Sequence, residues 1–482
     1  MSGIYLRDKV QELYDLVGKR GLYVNTNHDV FVNAKSINAG QSQQYKFSLL
    51  NPKGKAYASP MLLATLTSLL NHGTMLITGA PGIGKTTGAE LAGHFFTGTP
   101  LDEILESTIQ GHPQQTEEKM IARFHTGKLV KDGEEHVLPR KFLTSKVKLI
   151  DEINRLDPDK WSIILRLIDT GKATYGDTLL EAATGPLFAT ANYTDAGTFE
   201  MPPPGLDRFD VAAVVTSPQP WDLSRIYSRS DEKLNGGLQK LLEIPEELKL
   251  SDDDFAQIRK EISGLPKAGN LDTSLNFVLA TIRFSEAASD DVTRMTKGNA
   301  WASSDIQGLH FTNHPSVYTK NELSVRTARA IQRYARALAW FSGDYQVSEA
   351  HVNTIFPYAT WHKLQPSEKA LQEKPKFAND RIAFARFVLE KISGEWATMK
   401  GQNELKVYGS TLNAILDDTD ATLMELIQKN AGLREIVSKS GQTPLYAVVS
   451  NAIKTICNWD NPYALVLAKS LETGYNARMM KQ

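Results

Sequence analysis

The chain has 482 residues, 41% hydrophobic and 23% charged, which excludes the disordered, collagen-like and membrane-embedded classes. Its 54 basic and 55 acidic side chains leave a formal charge of -1, so no overall field draws it onto nucleic acid or anionic lipid. The one cysteine, Cys457, permits no disulfide within this sequence and fits a reducing compartment. It follows the apolar run 448–456 and is expected to be buried filler. No apolar run approaches the roughly 20 residues of a membrane span. The opening MSGIYLRDKVQELYD lacks the apolar core of a signal peptide, so a cytoplasmic protein is expected.

In chain order, residues 1–55 form an N-terminal extension. Val10, Leu13 and Leu16 recur at helical spacing, residues 29–32 alternate as a short strand, and Asn51-Pro52-Lys53-Gly54 reads as a turn. From 56 to 220, short β-rich runs (75–77, 147–150, 187–189) alternate with helix-like stretches. That pattern predicts a parallel sheet with crossover helices. Residues 221–365 read as helices, one opened by Asp252-Asp253-Asp254 and one running from Val325 through Ile331, Ala335 and Leu338. The polar stretch 289–322 between them has no period and predicts a long loop. Pro366 and Pro375 bracket a charged linker. Ile382, Ala385, Leu389 and Ile392 then resume helical spacing in a C-terminal extension, 366–482.

The strongest chemical signal is Gly79-Ala80-Pro81-Gly82-Ile83-Gly84-Lys85-Thr86, with Thr87 beyond it. The pattern G-x-x-x-x-G-K-[ST] curls the backbone so that N–H groups converge on phosphate oxygens, with a helix expected to begin near Lys85. Lys85 would reach the β- and γ-phosphates of ATP, and Thr86 would offer its hydroxyl to Mg²⁺. The second signal is the strand 147–150 ending in Asp151-Glu152. Parallel sheets present ligand groups at strand C-termini, which puts Asp151 on Mg²⁺ and Glu152 on the attacking water. Gly176-Asp177, flanked by alternating residues, reads as a hairpin tip. Asn192 ends the next strand, placed to orient water, and Arg208 in Leu206-Asp207-Arg208-Phe209 is a candidate for neutralising phosphoryl charge. His125 and His136 have no metal-ligand spacing.

Together these residues resemble the AAA+ ATPases, and within them the MoxR family, over roughly residues 56–365. The most specific parts are Asp151-Glu152-Ile153-Asn154-Arg155 and Ala196-Gly197-Thr198-Phe199-Glu200-Met201-Pro202, which leads to Leu206-Asp207-Arg208-Phe209. The resemblance implies an α/β P-loop domain at 56–220, an all-α lid at 221–365 and a homo-oligomeric ring, expected to be a hexamer. It makes Lys85 and Thr86 the Walker A residues, Asp151 and Glu152 Walker B, Asn192 sensor 1, and Arg208 an arginine finger serving the neighbouring subunit. Arg326 becomes the sensor 2 candidate, although Val325 stands where the family usually has proline, and Arg329 is the alternative. Residues 124–138 lie where the family inserts a hairpin. Pro202-Pro203-Pro204-Gly205 replaces the usual Pro-Glu-Ala-Gln and predicts a stiffer approach to Arg208. Nucleotide binding and hydrolysis would move the lid against the α/β domain. The implied client is a protein or protein complex, often one with a von Willebrand factor A domain. Three rivals remain: a nucleic-acid motor using Arg123, Lys128 and Lys131, a GTP-using restriction subunit, and a passive nucleotide-gated scaffold.

Overall fold

The computed structural model describes residues 5–22, 28–32, 36–42, 45–50, 55–127, 136–192, 198–218, 222–223, 226–227, 237–268, 271–285, 297, 314–397, 400–416, 420–440, 443–459 and 461–480. They fall into two compact units, neither continuous in sequence. The first combines 1–267 with 325–363, and the second combines 268–324 with 364–482.

The first unit is built on a five-stranded parallel sheet in the spatial order Val211–Val214, Thr74–Gly79, Leu187–Asn192, Lys148–Asp151, Ile109–Gln110. Its strands are buried on both faces, which is why they read as continuous apolar runs rather than alternating ones. One face packs Leu76, Ile150, Ala189 and Phe209 against Trp161 and Ile164 of the helix Pro158–Thr170. The helix Ser59–Leu69 is buried along its whole length. Strand order reverses beside Thr74–Gly79, and the crevice at the C-terminal ends of such strands is where a ligand fits.

The helix Val325–Ser342 belongs to this unit because its alanine-rich face admits close approach and its polar residues find buried partners. Tyr334 is fully buried, with its hydroxyl 2.8 Å from Thr67 Oγ1. Arg333 reaches Asp210 at 3.3 Å. Burial pushes the Asp210 carboxyl up, while Arg333 and the backbone N–H of Thr74 pull the other way. At the N-terminus the helix Leu6–Lys19 buries Val10, Leu13 and Val17; Val17 takes the place expected for Leu16. The strand His28–Val32 pairs antiparallel with Lys55–Ala58, and Ser36–Ser42 with Tyr45–Leu50. The turn expected at 51–54 lies outside the described residues, as does most of the loop expected at 289–322.

Lys148 opens its strand as a buried residue, its ammonium held by the carbonyls of Ser145 and Ala183. Burial pulls its pKa down to about 8. The unfolded chain therefore binds more protons between about pH 8 and the ordinary lysine value of 10.5, and stability should rise with pH across that window. A Lys148→Met variant should lose this share of the rise, amounting to a few kcal/mol, in urea titrations at stepped pH.

The second unit is helical: Leu271–Arg283, Arg381–Ala397, Lys400–Leu416, Asp420–Lys429, Ala431–Ser440, Pro444–Cys457 and Pro462–Met479. Phe277 anchors it, with ring centroids 5.3 Å from Trp396, 5.8 Å from Trp459 and 5.2 Å from Tyr463. Two sequence expectations fail here. The charged linker after Pro366 contains the helix Glu368–Glu373, because the Ser367 hydroxyl caps the N–H of Ala370. Cys457 is exposed, not buried. Ile456 takes the inward position at the end of its helix, and the next residue is turned about 100° away.

Candidate nucleotide site

The loop at the end of Thr74–Gly79 bends sharply into the helix Lys85–Thr97. Gly79 has φ 155°, and a Cβ there would lie 2.5 Å from the carbonyl oxygen of Val215. Gly84, at φ 84°, caps the helix in the left-handed region, where any other residue would be strained. The Lys85 side chain folds back into the loop. Its Nζ donates to the carbonyls of Gly79 at 3.1 Å and Ala80 at 2.6 Å, and to Asn192 Oδ1 at 2.7 Å. Lys85 is 6% exposed, and none of its hydrogen-bond partners is an anion. Burial lowers its pKa, with Asp151 and Glu152 opposing. A buried cation ringed by neutral acceptors suits a polyphosphate, whose charge would replace those contacts. Pro81, Gly82 and Thr87 are exposed, and Ala80, Ile83, Gly84 and Thr86 are half-buried.

Thr86 Oγ1 lies 2.6 Å from Asp151 Oδ1, and Thr190 Oγ1 donates to the same oxygen at 2.5 Å. Two hard oxygen donors beside a phosphate loop fit Mg²⁺, which keeps most of its water and takes only one or two protein ligands. Among the described residues no group of three or more His, Cys, Asp or Glu could hold a metal.

Glu152 stands in the left-handed region at φ 51°, strain that a non-glycine residue bears only when its surroundings enforce it. Its N–H donates to Thr190 Oγ1 at 2.9 Å. Its carboxylate accepts from Asn192 Nδ2 at 2.5 Å and faces Arg155 Nε at 3.0 Å. The Asn192 amide thus bridges the Lys85 ammonium and the Glu152 carboxylate, oxygen toward the cation and nitrogen toward the anion. Asn154 holds Asn192 in place. Its side-chain amide pairs with the backbone of Asn192 in both directions, at 3.1 and 3.3 Å, where the neighbouring strand has already turned away.

Thr190, Asn154 and Arg155 are the residues that the sequence reading did not assign. Thr190 was accessible from period: it lies two residues before Asn192 and so on the same strand face. Asn154 and Arg155 lie within the acidic-pair stretch, but their partners are set by the turn Ile153–Arg155.

Arg208 and Arg326 are not in this cluster. Arg208 ends the helix Pro203–Arg208; there the prolines begin a helix, because their fixed φ suits its first turn. Its carbonyl accepts from Thr74 Oγ1 at 3.1 Å, at the start of the strand whose far end carries the phosphate loop. Five residues of strand separate those ends by about 17 Å, beyond the reach of an arginine side chain. Arg208 Nε lies 2.8 Å from Asp169 Oδ2, and Arg326 Nη2 lies 2.8 Å from Asp169 Oδ1. Arg326 Nη1 also meets Asp207 at 3.1 Å.

The unit carries two hairpins. Lys172–Tyr175 pairs with Thr178–Glu181 around Gly176-Asp177, and Ala122–Phe124 pairs with Val137–Pro139. Phe124 and Tyr175 join them, with ring centroids 5.1 Å apart.

The parallel sheet and the loop at the end of Thr74–Gly79 have the arrangement of an AAA+ P-loop domain. Residues 59–209 match the family model "AAA domain (dynein-related subfamily)", and residues 316–383 match "AAA lid domain". The chain therefore carries an AAA domain, an AAA lid and further C-terminal helices. Among 368 matching solved chains is a crystal structure of a "putative ATPase" from Cytophaga hutchinsonii. It has a TM-score of 0.53 and 20% identity, and the match covers 80% of this chain and 95% of that one. No curated protein matches. No helix among the described residues is long and apolar enough to cross a membrane.

Proposed function

We propose that the protein is a Mg²⁺-dependent ATPase that works as a hexameric ring and, in the manner of the MoxR family, remodels or activates a protein client. One observation carries this reading. Lys85, Thr86, Asp151, Glu152 and Asn192 meet around a single phosphate loop, while Arg208 stands at the other end of the same sheet. A hydrolytic set that lacks its own arginine is completed by a second copy. Thr86 and Asp151 would hold Mg²⁺, which would supply positive charge to offset that of the phosphates. The chain's own residues do the rest: Lys85 and the loop N–H groups grip the phosphates, Asn192 orients a water, and Glu152 accepts its proton.

Sharing of the site is tested by mixing Lys85→Ala and Arg208→Ala proteins, each inactive alone. Arg208 of the first and Lys85 of the second complete one interface, so activity should return on mixing. No recovery at any ratio would sink the shared site.

The hairpin pair is the surface we assign to the client. Lys172 is paired with Glu181 at 2.6 Å, which cancels the basic charge nearest the Gly176-Asp177 tip. That supports a protein over a nucleic-acid client. Arg123 is exposed, and Lys128 and Lys131 lie outside the described residues. Binding to DNA or RNA that falls steeply with salt would favour the nucleic-acid motor. Competition between ATP and GTP separates the GTP-using rival.

A further inference from the structure

Asp169 lies in the last turn of the helix Pro158–Thr170, where the partial negative charge of the helix end disfavours a carboxylate. Two guanidinium groups offset this. Arg208 Nε takes one carboxylate oxygen and Arg326 Nη2 the other, both at 2.8 Å. The Arg208 plane has a second anchor, since Nη1 donates to the carbonyl of Pro204 at 2.8 Å. Nε and Nη1 are thus held, and Nη2 has no partner among the described residues. The Arg208 and Asp169 side chains are 22% and 25% exposed, so the pair is largely shielded without being sealed from solvent.

We propose that Asp169 is a positioning residue for hydrolysis: it locks the Arg208 guanidinium, alongside Arg326, so that the free Nη2 edge faces the triphosphate of an adjoining copy. This rests on the shared-site reading above. An arginine fixed beforehand loses little freedom when phosphoryl charge develops, whereas a loose one must be ordered at that moment. Two anchors that leave the terminal edge open suit presentation; sequestration would occupy that edge.

The test uses the full-length assembled protein with Asp169→Ala, Asp169→Asn, Arg208→Ala and Asp169→Ala/Arg208→Ala, with assembly checked by light scattering. Misplacement of a reacting group by about 1 Å costs up to about 100-fold. Asp169→Ala should therefore lower kcat about 10–100-fold, with KM for ATP changed less than about twofold. Asp169→Asn, which keeps one acceptor oxygen, should fall between it and the wild type. Adding Asp169→Ala to Arg208→Ala should cost almost nothing more. An unchanged kcat in Asp169→Ala would overturn the proposal, as would an equal loss in both backgrounds or a loss traced to failed assembly of both Asp169 variants. Full activity in Arg208→Ala alone would instead overturn the shared-site reading beneath it.

Discussion

Replacing Arg208 by alanine should lower ATP turnover by about 10³–10⁵-fold, the range that an arginine supplied to a phosphoryl-transfer site contributes. Nucleotide binding should barely change, because Lys85, Thr86 and Asn192 lie at the opposite end of the sheet from the Thr74–Arg208 contact. The fold should survive as well. Loss of the guanidinium breaks one partly exposed ion pair with Asp169, while Arg326 still satisfies that carboxylate. A pair this near the surface, with its carboxylate still held, contributes on the order of 1 kcal/mol. The measurement pairs steady-state ATPase rates with the dissociation constant of a fluorescent ATP analogue. A large loss in turnover at constant affinity is the expected split; a matching loss of affinity would place Arg208 in ground-state binding instead.

Glu152→Gln should bind ATP normally and hydrolyse it about 10²–10⁴-fold more slowly, the usual contribution of a general base. Glutamine has the same shape, and its carbonyl oxygen can still accept from Asn192 Nδ2, so the amide bridge to Lys85 is kept. What is lost is the carboxylate that would take the proton from water. Single-turnover kinetics report this directly, and unimpaired single-turnover hydrolysis would remove Glu152 from the base role. The same variant should hold the ATP-bound state long enough to capture what it acts on. A pull-down with ATP, read by mass spectrometry and a nucleic-acid stain, should return a protein partner; one with a von Willebrand factor A domain or a metalloenzyme would fit the remodelling reading. DNA or RNA retained at moderate salt, with no protein, would favour the nucleic-acid motor.

What the sequence determined by itself was local. A phosphate loop needs glycines where a side chain would collide or the backbone turns left-handed, as at Gly79 and Gly84, and a lysine and a hydroxyl at the helix start. Those demands fall on consecutive residues, so Lys85, Thr86, Asp151 and Glu152 were legible from spacing and from the apolar strands before them. The hairpin at Gly176-Asp177 was legible for the same reason. The tertiary structure decided everything that joins distant residues. Asn192 became a bridge only because its strand lies between those carrying Lys85 and Glu152. Asn154 and Thr190 gained roles as supports because the strand Lys148–Asp151 turns away early and leaves backbone groups to be satisfied. The helix Val325–Ser342 joined a core more than 100 residues earlier in sequence because the buried Tyr334 finds its partner at Thr67 and the half-buried Arg333 finds its own at Asp210. Asp169 reads as an ordinary acidic residue at a helix end until Arg208 and Arg326, from two other elements, close on it. Hydrophobic period and turn chemistry act over a few residues and can be read along the chain; ion pairs and side-chain bridges depend on which elements become neighbours, which only packing settles.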